Sequence, residues 1–101
     1  MNKFGLSDKT IELIKELFAS FNEIDTVKIF GSRARGDFKR GSDIDLALFG
    51  NIDEKLLRHI ASGLDELPTP YKFDIVNYSE IDNDALKQSI DTDGKIFFQK
   101  Y

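Results

Sequence analysis

The chain contains no cysteine and no tryptophan, only one histidine and only two prolines. Without cysteine, disulfides, thiolate nucleophiles and Cys-ligated zinc or iron–sulfur centres are excluded. A single imidazole, His59, excludes any site that needs two from this chain. The missing cysteines accord with a cytoplasmic location. No stretch approaches the ~20 apolar residues of a membrane helix. Met1 to Leu6 carry one lysine and no apolar run long enough for a signal peptide. No internal repeat, low-complexity tract or Pro/Gly/Ser-rich linker occurs, so residues 1–101 are expected to form one domain. A domain of this size buries only about two-thirds of its unfolded surface, so its stability margin is modest.

The composition is globular: 41% apolar and 32% charged, with nine phenylalanines. Eighteen acidic against fourteen basic residues leave a net charge of −4. Long-range attraction to nucleic acid or an anionic membrane is therefore not expected. The basic residues are nevertheless uneven. Arg33, Arg35, Lys39 and Arg40 fall within eight positions, with Asp37 the only acid among them.

Apolar periodicity orders the chain. Ser7 or Asp8 caps a first helix with Ile11, Leu13, Ile14, Leu17, Phe18 and Phe21 at a period near 3.6. Thr26 to Phe30 reads as a strand ended by Gly31, and residues 31–42 read as a loop. Asp43 to Phe49 is a second strand. Asp53 caps a second helix carrying Leu56, Leu57, Ile60, Ala61, Leu64 and Leu67, and Gly63 inside it costs ~1 kcal/mol relative to alanine. Tyr71 to Tyr78 is a third strand, Asp82 begins a short helix, and Lys95 to Gln99 is a closing edge strand. The order α-β-β-α-β-α-β predicts an α/β (α+β) fold, a small mixed sheet with helices packed on it.

The second strand carries the chemistry. Alternation puts Ile44, Leu46 and Leu48 on one face and Asp43, Asp45, Ala47 and Phe49 on the other. Two carboxylates with Cα atoms ~7 Å apart then point the same way. In the third strand, Phe73 and Ile75 oppose Lys72, Asp74 and Val76. A helix of crossover length joins the two strands, which favours parallel neighbours. With both apolar faces turned to one helix layer, Asp43, Asp45 and Asp74 emerge together. Three carboxylates form an all-oxygen site suited to Mg²⁺ or Mn²⁺, and two such ions can clamp an in-line phosphoryl displacement. Upstream, Gly31-Ser32 offers backbone amides and a hydroxyl to a phosphate, and Arg33 and Arg35 add charge. Gly-Ser followed ten residues later by Asp-x-Asp arises by chance in only ~0.1% of chains of this size, so a shared chemical role is the better explanation.

Gly31-Ser32-Arg33-Ala34-Arg35-Gly36 with Ser42-Asp43-Ile44-Asp45-Leu46 resembles the signature of the DNA polymerase β-like nucleotidyltransferases. The nearest likeness is to the minimal nucleotidyltransferases (MNT proteins) of prokaryotes, and it extends over the whole chain. The resemblance implies that Asp43, Asp45 and Asp74 hold metal ions, Mg²⁺ or Mn²⁺, expected as a pair, and that Asp74 can draw the acceptor proton. Gly31 and Ser32 would bind the β- and γ-phosphates of ATP. It further implies transfer of AMP to a hydroxyl, with a HEPN-domain toxin as partner and its tyrosine as acceptor, so that the chain is the antitoxin of a toxin–antitoxin pair. The template- and acceptor-holding domains of larger relatives have no counterpart in this length. Two other readings stay open: a catalytically silent module that neutralises its partner sterically, and a transferase acting on a small molecule such as an aminoglycoside.

Other features carry blander expectations. His59 lies beside the apolar stripe of its helix and reads as surface or packing. Phe18, Phe21, Phe97 and Phe98 read as core or interface edge, with one ring of Phe97-Phe98 on each face of the edge strand. Lys39-Arg40 reads equally as a phosphate contact or a solvated loop. Tyr71, Tyr78 and Tyr101 are conceivable self-modification sites that nothing in the sequence favours.

Overall fold

The computed structural model describes residues 3–100. Helix α1 (Asp8–Ala19) begins where the Ser7 hydroxyl accepts from the Thr10 amide, a cap worth ~1 kcal/mol. Its buried stripe is Ile11, Ile14 and Phe18. Strand β1 (Ile24–Phe30) leads into a single helical turn, α2 (Ser32–Arg35), and then a loop to β2 (Ile44–Gly50). Helix α3 (Glu54–Asp65), capped by the Asp53 carboxylate at the Leu56 amide, crosses to β3 (Phe73–Asn77). A 3₁₀ turn (Tyr78–Glu80), helix α4 (Asp84–Asp93) and β4 (Lys95–Gln99) complete the order.

The four strands form one mixed sheet in the order β3-β2-β1-β4. Strand β1 pairs antiparallel with both β2 and β4, while β2 and β3 run parallel. The crossover through α3 makes that parallel pairing possible. Ile44, Leu46 and Leu48 face α1 and α3 and are fully buried with Ile14, Phe18, Ile60 and Leu64. Gly63 lies where α3 meets α1: a Cβ there would stand 3.0 Å from Leu17 Cδ1. The helix-weakening residue is the one that lets the two helices approach. On the opposite face a smaller cluster of Phe30, Ala47 and Ile90 is roofed by α4.

Three expectations are corrected. Residues 32–35 are helical rather than loop, because the Ala34 and Arg35 amides both find the Gly31 carbonyl. The last helix starts at Asp84 with Asn83 as its cap, not at Asp82. Phe97 and Phe98 do not take opposite faces. The β1–β4 register slips between Val27 and Lys28, and this bulge turns both rings toward Phe18, at centroid distances of 6.4 and 5.9 Å. Ile96 is left 50% exposed instead.

Candidate active site

The parallel register between β2 and β3 places Asp45 directly opposite Asp74, and the antiparallel register with β1 places Phe30 on the other side of Asp45. Asp43 precedes the first residue of β2 and is exposed, as is Asp74, whereas Asp45 is half-buried. All three carboxylates thus gather at the end of β2 and β3 nearest the β1–α2 junction. Their proximity is visible in the chemistry of Asp45. Burial pushes its carboxyl above the ordinary carboxylate range, and the charges of Asp74 and then Asp43 push the same way. Arg35 and Arg33 pull it partly back.

Gly31 sits against this corner with φ +73°, a conformation that glycine adopts without strain. A Cβ at Gly31 would fall on the Asp45 Oδ2 atom, so only glycine lets the turn close over the carboxylate. The first amides to bond within the turn are those of Ala34 and Arg35, both to the Gly31 carbonyl. The N–H groups of Ser32 and Arg33 come before them, at the open start of the turn.

The two arginines of the motif part company. Arg35 is exposed, donating to Asp37 Oδ2 at 3.2 Å and standing 3.9 Å from Asp93 of α4. Arg33 is only 3% exposed. Its Nε and Nη2 donate to the Ser42 carbonyl at 3.1 and 2.9 Å, and its Nη1 to the Phe4 carbonyl at 2.8 Å. The guanidinium also lies 5.1 and 5.0 Å from the ring centroids of Phe38 and Tyr71. Arg33 therefore acts as a latch on the loop leading to Asp43, whereas the Arg35 guanidinium stays at the surface. Ser42 completes the latch, its Oγ accepting from the Lys39 amide at 2.9 Å. Sequence reasoning missed this pair. The available signal was helical geometry, since positions two apart on a helical turn project ~200° from each other.

Carboxylate oxygens alone suit a hard divalent cation. Among the described residues, no three acidic or histidine side chains are already closed into a metal-ligating cluster. The corner is convergent and open, and the mutual repulsion felt by Asp45 is what a bound cation would relieve. His59 is exposed, and the Tyr78 hydroxyl donates to Asp91 at 2.8 Å. Tyr101 lies outside the described residues. Among those residues no helix is long and apolar enough to cross a membrane.

Residues 12–101 match the family model for polymerase β nucleotidyltransferases. The chain belongs to this family. No curated protein matches it. Among solved structures, it resembles a chain of a toxin–antitoxin complex crystallised with AMP-PNP, at 26% identity and a TM-score of 0.65, covering 88% of this chain and 73% of that one. A nucleotidyltransferase from Sulfolobus solfataricus shares 24% identity with a TM-score of 0.60, covering 91% and 79%. The complex of a tri-AMPylated Shewanella oneidensis HEPN toxin with its MNT antitoxin gives 22% identity and a TM-score of 0.60, covering 90% and 71%. The fold is thus that of a polymerase β-like nucleotidyltransferase, and its structural neighbours include MNT antitoxin complexes.

Proposed function

We propose that this chain transfers AMP from ATP to a hydroxyl acceptor, a tyrosine of a HEPN-domain toxin, and so serves as that toxin's antitoxin. The observation that carries the reading is the convergence of Asp43, Asp45 and Asp74 under a turn that only Gly31 can make. In this reading the Ser32 hydroxyl and the Ser32 and Arg33 amides receive the terminal phosphates of ATP, and Arg35 neutralises part of their charge. Asp43, Asp45 and Asp74 would hold Mg²⁺ or Mn²⁺, which when bound offsets the charge of the triphosphate and of the displaced pyrophosphate. The acceptor oxygen attacks the α-phosphorus, the bond to the bridging oxygen of the β-phosphate breaks, and pyrophosphate leaves. Asp74, exposed at the sheet edge, takes the proton from the attacking hydroxyl. Resemblance to a toxin–antitoxin complex solved with AMP-PNP supports both the nucleotide and the kind of partner.

The test is label transfer from α-³²P-ATP to a co-expressed HEPN protein. Asp43→Asn with Asp45→Asn should reduce transfer at least ~10³-fold while the two proteins still co-purify. Undiminished labelling by the double variant would show that these carboxylates are not the active centre. Full protection of cells by the unlabelled double variant would favour steric neutralisation instead.

A further inference from the structure

A cavity with a volume of ≈ 760 Å³ lies not at the acidic corner but behind its loop. Arg33, Phe38, Lys39, Arg40, Pro70 and Tyr71 line it, a volume and a mixed aromatic and polar wall within the range of small-molecule sites. Its charge is unusual for an acidic chain. Arg33 is buried with no carboxylate partner, its hydrogen bonds going to the carbonyls of Phe4 and Ser42, so its positive charge is solvated by dipoles and rings but not neutralised. Among the described residues neither Lys39 nor Arg40 has an ion-pair partner. Three cations therefore surround one cavity whose walls include two half-buried aromatic rings.

We infer that this cavity is a second nucleotide site, binding a nucleoside monophosphate group with its phosphate on Lys39 and Arg40 and its base against Phe38, Pro70 and Tyr71. The cations call for an anion, and the rings call for a planar apolar group attached to it. The chain's net charge of −4 disfavours a long polyanion but not a single phosphate. Among the described residues that line it there is no carboxylate to repel a phosphate. It is separate from the Gly31–Ser32 turn, and it touches the acidic corner through Arg33, whose grip on Ser42 holds the residue before Asp43. The inference does not rest on the transferase reading.

The experiment is titration of the full chain with AMP in EDTA, followed by ¹H–¹⁵N NMR. Expected are shifts at Phe38, Gly41 and Tyr71, and affinity for AMP about tenfold or more above that for inorganic phosphate. Lys39→Glu with Arg40→Glu, both exposed and unpaired, should weaken AMP binding about tenfold or more without lowering Tm. Asp43→Asn with Asp45→Asn should leave it intact. Shifts confined to Gly31 and Ser32, or AMP affinity unchanged by the double charge reversal, would overturn the site. Equal affinity for phosphate and AMP would overturn the nucleoside part, as would a preference for single-stranded RNA over AMP. A peptide carrying AMP esterified to tyrosine, compared with free AMP, identifies the source of the ligand: tighter binding of either supports the site and names that source.

Discussion

The two faces of the sheet are built from the same strands to opposite ends. On the face toward α1 and α3, Ile44, Leu46 and Leu48 are fully buried in an apolar cluster, and the buried Asn77 opposite Leu48 donates to the Ile52 carbonyl. On the other face the buried apolar cluster among the described residues is smaller, Phe30, Ala47 and Ile90, and the sheet gives way at one end to Asp43, Asp45 and Asp74. The first face supplies stability and the second tolerates three like charges because the first is closed. Alternation along one strand, with a period of two, puts both properties on β2.

Substitutions that break this contrast should do so unequally. Leu46→Ala, on the closed face, should cost ~2–5 kcal/mol, a large share of the stability of so small a domain, and chemical denaturation would measure it. Within the motif turn, Arg33→Ala should leave the Ser42 and Phe4 carbonyls without donors and lower stability by ~1–3 kcal/mol. Arg35→Ala should leave Tm nearly unchanged and lower nucleotidyl transfer about tenfold. Equal Tm losses for the two arginine variants would remove the distinction between latch and open ligand. The smallest effect concerns pH. Asp45 holds its proton more tightly folded than unfolded, so its contribution favours folding at low pH and is lost as pH rises through its raised pKa. Asp45→Asn should therefore raise Tm at neutral pH and flatten that part of the Tm-against-pH curve. A lower Tm for Asp45→Asn at pH 7 would mean that the carboxylate is stabilised by its neighbours instead of repelled.

Much of this was readable beforehand. Ser7, Asp53 and the apolar stripes of α1 and α3 mark helices because caps and 3.6-residue periodicity are local properties. The alternation in β2 and β3 is local too, and the crossover helix between them made parallel pairing the natural expectation. The turn at Ser32–Arg35 was harder, since four residues give no periodicity to detect. The Phe97-Phe98 pair misled because a bulge adds one residue to one strand only in relation to its partner, and no single strand shows it.

The sequence by itself determined which residues are proposed to bear the chemistry, the Gly-Ser turn and the acidic strand, because those choices depend on residue type and close spacing. Only the tertiary structure decided that Asp74 stands opposite Asp45, that a side chain on Gly31 would meet that carboxylate, and that Arg33 turns inward while Arg35 stays out. Each of these is set by the register of strands distant in the chain and by what packs over them, and such distances arise only when the whole sheet has closed.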